Sequence, residues 1–144
     1  MQREARTKAC TKARAFTLLE MTIALAAAAI VAAFAVPGWR NQIARGHRVD
    51  AVAALYRAAQ YADAQGAASL PSGFDQAPPS GKAVYRLKLL AGDESNGGYA
   101  IVASPTQTGP MRDDPCGAFT LDANGTRSNE SDAGLSSREC WKDR

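Results

Sequence analysis

Residues 14–39 read RAFTLLEMTIALAAAAIVAAFAVPGW, and the reading of this stretch decides how the rest of the chain is built. From Phe16 to Val36 there are 21 residues whose only charge is Glu20. At about 1.5 Å of rise per residue, a helix of that length just crosses a hydrocarbon core of roughly 30 Å. A carboxylate at bilayer depth costs at least about 2.5–3.5 kcal/mol, and less near a helix end. An acid in such a run is therefore a candidate functional residue.

Five basic residues (Arg3, Arg6, Lys8, Lys12, Arg14) and one acid, Glu4, precede the run within residues 1–15. Such a flank holds the N-terminus in the cytoplasm. Of the 17 basic and 14 acidic residues in the 144-residue chain, 12 and 13 remain beyond it, so the net charge of +3 belongs to the leader. A near-neutral body argues against binding nucleic acid through bulk charge and leaves only a local patch for that role. The three cysteines divide in the same way, with Cys10 in the leader and Cys116 and Cys140 near the C-terminus. Removing the leader leaves an even pair, as in domains exported to an oxidising compartment.

Three kinds of protein begin like this. A secretory signal peptide would be cut after the small-x-small Ala33-Phe34-Ala35, but an apolar region of about 20 residues is long for one. A simple anchor fits the length and leaves Glu20 unexplained. The third reading rests on Ala15-Phe16-Thr17-Leu18-Leu19-Glu20, which resembles the class III signal of type IV pilins. Prepilins of that family have a short basic leader, cut by a prepilin peptidase just before the apolar run. The new first residue, commonly Phe, is N-methylated, and a Glu stands fifth in the mature chain, as Glu20 does counted from Phe16. Pro37 matches a proline common in the family's first helix. Ala15 stands where the family usually has Gly.

The resemblance implies processing at Ala15 and Phe16, and subunit assembly through Phe16 and Glu20. Helices that leave the bilayer for a filament core would bury the Glu20 carboxylate, which then needs a cationic partner. The family supplies the α-amine of Phe16 on a neighbouring subunit, a pair that penalises axial slip. Eight alanines among residues 24–35 permit close helix approach and also favour helix on their own account. The hydroxyls of Thr17 and Thr22 are expected to return to backbone carbonyls.

Beyond Trp39, which suits a membrane interface, helical spacing continues to Gln65. Val49, Val52, Ala53, Tyr56, Ala59 and Ala62 form the expected apolar face. One long helix over residues 16–65 is expected, bent or loosened at Pro37, where a backbone bond is lost. His47, the single histidine, is expected to be solvated. Residues 66–82 are rich in Gly, Pro and Ser and read as a loop. Strand signals follow at 83–90, 99–104, 117–121 and 126–128, the last two joined by Asp-Ala-Asn-Gly. The fold class is α+β, a type IV pilin fold with one long helix on a three- to four-stranded antiparallel sheet. The expected organisation is a leader (1–15), a transmembrane and assembly segment (16–39) and a globular periplasmic or extracellular domain (40–144). By the same resemblance, Cys116 and Cys140 form the disulfide-bounded loop of many pilins, and the phrasing around them looks like the minor-pilin branch.

Asp113, Asp114, Asp122, Asn124, Glu130 and Asp132 could offer oxygens to calcium, but their spacing matches no EF-hand loop. No nucleophile–base pair, phosphate loop, HExxH or CxxC is present, so no enzyme, cofactor or metal site is expected. The expected function is a structural, minor subunit of a type IV pilus serving adhesion, twitching motility or DNA uptake. Its expected partners are other pilin subunits, the prepilin peptidase, the inner-membrane assembly machinery and, before assembly, membrane lipid. It is expected as a single-pass inner-membrane protein, N-terminus cytoplasmic, and then in the extracellular pilus. One alternative is a type II secretion pseudopilin. The other is a pilin binding DNA for natural transformation through Arg86, Lys88, Arg112, Arg127, Arg138, Lys142 and Arg144; the plainer reading of these is a solvated face.

Overall fold

The computed structural model describes residues 16–131 and 133–142. The leader with Cys10 and Ala15, and also Asp132 and Arg144, lie outside the described residues. The elements are helix α1 (Leu18–Gln65), strands β1 (Gln76–Ala77), β2 (Tyr85–Ala91), β3 (Tyr99–Pro105), β4 (Ala118–Asp122) and β5 (Arg127–Glu130), and helix α2 (Ser137–Cys140). The chain divides into two compact units, at Gly38 and Trp39.

In the first unit α1 has no polar face, because nothing in its sequence alternates. It is long and apolar enough to cross a membrane, and its side chains are exposed throughout, with Leu18 at 87% and Phe34 at 80%. Pro37 lies inside α1, which is helical on both sides of it.

In the second unit the five strands form one antiparallel sheet in the order β1-β2-β3-β4-β5. This is one strand more than the upper count expected from sequence. The addition is β1, two residues inside the stretch read as a loop, where Gln76 opposes Arg86 and Ala77 opposes Tyr85. A pair so short leaves no alternation to read. Tyr85, Leu87, Ile101, Ala103, Phe119 and Leu121 point from the sheet into the core.

The helix face that covers them differs from the expected one. Ala51, Val52, Ala54, Leu55, Ala58 and Ala62 are buried, whereas Val49 and Ala53 are exposed. Alanine is acceptable on either side of a helix, so the choice falls to Leu55, the largest apolar side chain in this part of α1, flanked by alanines that let the backbone approach the sheet. Tyr99 adds a polar tie, its hydroxyl donating to Asp63 Oδ1 at 2.7 Å.

The C-terminal end is fixed by three aromatic rings and a disulfide. Phe119 packs edge-on against Trp141 (centroids 5.5 Å) and against Tyr85 (6.1 Å). Trp141 Nε1 donates to the Ser128 carbonyl at 3.0 Å, so its one polar atom is satisfied while the ring is buried. Cys116 and Cys140 are disulfide-bonded, with Cα atoms 5.6 Å apart. Gly117 has φ +63°, and a Cβ there would lie 1.7 Å from the Glu130 carbonyl oxygen, so the start of β4 can run this close to β5 only as glycine. Gly125, at φ +80°, closes the Asp122–Gly125 hairpin turn. Helix α2 was not expected from sequence. Its signal is Ser136-x-x-Glu139, where the Ser136 N–H donates to Glu139 Oε2 at 3.1 Å.

Candidate functional site

Two regions carry the residues singled out by the sequence. At the N-terminal end, Phe16 and Glu20 are exposed, Phe16 at 71%. Thr17 immediately precedes α1, and its hydroxyl accepts the Glu20 backbone N–H at 3.1 Å. It therefore caps the helix rather than donating to a carbonyl as expected, and Thr17-x-x-Glu20 is the start of a capping-box pattern. Thr22 does donate to the Leu19 carbonyl, at 2.8 Å. Glu20 thus occupies the first turn, where a negative charge also suits the helix dipole.

In the globular unit the basic residues fall into separate groups. Arg86 and Lys88 project from the outer face of β2, away from the core. Cross-strand register places Lys88 in one row with Val102, Thr120 and Ser128, and Arg86 opposite Ser104. Arg86 also reaches Asp75 at 3.6 Å and Gln76 Oε1 at 3.3 Å. Arg112 is held by the adjacent Asp113 carboxylate at 2.7 Å, which in turn keeps that carboxyl below the usual range. Arg127 lies over the rings of Tyr56 and Trp141, 5.5 and 5.7 Å from their centroids. Arg138 is exposed on α2. The sequence-based set is therefore not one continuous patch.

The structure also groups residues that the sequence did not. Lys142 shares a cleft of about 120 Å³ with Arg45, Arg48, Glu139 and Cys140. Arg48 is already committed, since its guanidinium makes a bidentate pair with Asp114 (2.5 and 3.1 Å). Asp114 Oδ2 also accepts the Cys116 N–H at 3.3 Å, which ties the helix to the disulfide. No sequence signal brings residue 45 to residue 142; only the docking of α1 on the sheet does so. A second cleft, about 340 Å³, has His47, Met111 and Pro115 in its wall, so His47 is half-buried rather than fully solvated.

Three of the acids weighed as calcium ligands are engaged elsewhere: Asp113 with Arg112, Asp114 with Arg48, and Asp122 with the Thr126 N–H at 2.7 Å. Among the described residues no three His, Cys, Asp or Glu side chains converge as a metal site.

Comparison with known families fits both regions. Residues 10–36 match the prokaryotic N-terminal methylation motif. Residues 37–120, more than half of the chain, match the family described as type IV minor pilin ComP, DNA uptake sequence receptor. The chain belongs to the type IV minor pilin ComP family. No curated protein and no solved structure matches it. As a ComP-family minor pilin it is a structural pilus subunit, and membership implies assembly with other pilin subunits and processing by a prepilin peptidase. The methylation motif, followed by an apolar helix, fits anchoring in the inner membrane before entry into the pilus. The matched span runs from Pro37 into β4 and includes Arg86, Lys88 and Arg112, but ends before Arg127.

Proposed function

We propose that this minor pilin binds DNA for uptake in transformation, from a position in a type IV pilus. The match of residues 37–120 to a family of DNA uptake sequence receptors carries this reading. It raises the alternative that the charge balance alone had placed behind a purely structural role. Arg86 and Lys88, beside Ser104, Thr120 and Ser128 on the outer sheet face, offer phosphate oxygens two cations and three hydroxyls.

The processing and assembly steps belong to the same reading. Residues 1–15 are removed, Phe16 becomes the methylated first residue, and residues 16–39 serve first as a span and then in the filament core. Pro37 is the point at which the helix yields. Intact mass of the mature protein should correspond to a methylated chain starting at Phe16; a start at Val36 or at Met1 rejects this.

For DNA, the purified chain should retain duplex DNA at low salt, with retention falling steeply between 50 and 200 mM salt as released counterions return. The double substitution Arg86→Gln/Lys88→Gln should weaken it by an order of magnitude or so and flatten the salt slope by about two. Retention unchanged by that variant moves the site off the outer sheet face. No retention at low salt ends the DNA reading.

A further inference from the structure

We infer that the open edge of β2 takes an extended segment of another pilin subunit as an added strand, one that sets an acid opposite Lys88 and apolar residues opposite Leu89 and Leu90. This does not depend on the DNA reading.

Register decides which backbone groups of β2 are open. The Gly92 N–H donates to the Gly98 carbonyl at 3.1 Å and the Thr106 N–H to the Val84 carbonyl at 2.9 Å, so the even-numbered residues of β2 bond to β3. The odd-numbered residues turn their N–H and C=O to the opposite edge, where the Leu87 N–H reaches the Asp75 carbonyl at 2.8 Å. Strand β1 covers that edge no further, its register ending at Arg86. Among the described residues, neither backbone group of Leu89 nor the Ala91 N–H makes a hydrogen bond. The far edge of the sheet differs, since the C-terminal tail lies against β5 and Trp141 Nε1 donates to the Ser128 carbonyl. A sheet edge left unpaired is a template for another strand.

The side chains around the open edge define what would fit. Residues 87–90 line a groove of about 260 Å³ with Ala68, Ser69 and Leu70, all within the second unit. Leu70 and Leu89 are half-buried, and Leu90 is 47% exposed. In strand addition, main-chain bonds supply the affinity and alternate side chains enter such a groove. The outer row supplies the charge. Lys88 stands opposite Val102 of β3, with Ala100 and Ser104 on either side, so register offers it no acid there. None of the three ion pairs among the described residues uses it. An acid on an added strand would stand directly across from Lys88. Membership in a pilin family supplies the source, because assembly brings other pilin subunits alongside.

The probe is a blocked, dye-labelled peptide, Thr-Val-Val-Glu-Val, whose antiparallel pairing puts its Glu opposite Lys88 and its second valine opposite Leu89. It is added to the full chain in detergent micelles, and amide hydrogen exchange is followed by nuclear magnetic resonance. The Leu89 and Ala91 amides should slow by roughly tenfold or more at saturating peptide, while Lys88 and Leu90, already bonded to β3, keep their rates. N-methylation of the valine opposite Leu89 should weaken binding roughly tenfold. Lys88→Glu should weaken it about fivefold and shift the preference to a peptide with Lys in place of Glu. Retained near-ultraviolet circular dichroism shows that this variant is folded.

Protection that is absent, or even along the strand, overturns the inference, as does binding indifferent to N-methylation. An unchanged preference in Lys88→Glu removes the acid from it. Slow exchange of Leu89 and Ala91 without peptide, deepening with protein concentration, would give the edge to a second copy of this chain. Protection of the same two amides by duplex DNA and not by the peptide would give it to nucleic acid.

Discussion

Asp114 shows how one carboxylate can tie the globular unit together. Its side chain is 4% exposed and lies between the Arg48 guanidinium and the Cys116 backbone, so helix, loop and disulfide meet at one charge. Removing one partner of a buried pair leaves the other charge uncompensated, at a cost of about 3–5 kcal/mol. Arg48→Ala should therefore destabilise by about 3 kcal/mol, taking the lower figure because Arg48 is itself 22% exposed. Arg48→Met/Asp114→Leu should recover most of that loss, and thermal unfolding of the detergent-solubilised chain measures both. A double variant no better than Arg48→Ala would show that the pair does more than neutralise itself. Tyr99 gives the pH dependence. Burial and its hydrogen bond to Asp63 push the phenol up to about 12 from an ordinary 10. The folded state thus favours the protonated phenol, so its contribution is complete below pH 10 and is lost as pH rises through 12. Burial and the nearby Asp114 raise Tyr85 as well, so the two losses have the same sign. Unfolding temperature should fall between pH 10 and 12, and Tyr99→Phe should make that fall shallower while lowering stability at pH 8. An unchanged profile in Tyr99→Phe would remove Tyr99 as a cause.

At the scale of elements, the buried face of α1 can be tested by where added volume is tolerated. Ala58 is fully buried against the sheet and Ala53 is exposed. Ala58→Leu should cost about 1–3 kcal/mol by overpacking, while Ala53→Leu should stay within about 0.5 kcal/mol. The reverse order in thermal unfolding would restore the face expected from sequence. The ambiguity has a physical origin. Periodicity identifies a face by contrast between polar and apolar positions, and residues 51–54 (AVAA) offer none. Strand β2 was legible because large apolar or aromatic residues alternate with charged ones in Tyr85-Arg86-Leu87-Lys88, β3 because Tyr99-Ala100-Ile101-Val102 is an apolar run after a turn-rich loop, and β4 and β5 because Asp-Ala-Asn-Gly marks the turn between them. Strand β1 was not, since two residues carry no period. Helix α2 was signalled only by its capping box, at the end of a tail with no apolar repeat. The cleft of Arg45 and Lys142 lay beyond any local pattern, because its members are joined by tertiary packing alone.

For the whole molecule, the open question is what Glu20 does that an ordinary anchor would not need. Two roles compete for it. Locally, it sits at the capped start of α1, where its backbone N–H bonds Thr17 and its charge complements the helix dipole, a contribution of about 0.3–1 kcal/mol. In a filament, the same carboxylate would meet the Phe16 amine of a neighbouring subunit in a low-dielectric bundle, where separation of the pair is penalised far more. Substitutions distinguish the two. Thr17→Val removes the cap and keeps the charge, costing the helix start about 1 kcal/mol. Glu20→Gln keeps the backbone bond and the side-chain shape while removing the charge. If register is the role, the Glu20→Gln chain should reach the inner membrane at normal levels but fall at least tenfold in sheared filaments. The Thr17→Val chain should be incorporated nearly as well as the unaltered protein. Immunoblots of membrane and sheared-filament fractions read both quantities. They follow this chain itself rather than filament number, which a minor subunit need not control. Normal incorporation of Glu20→Gln would reduce the carboxylate to a helix-end charge and remove it from assembly.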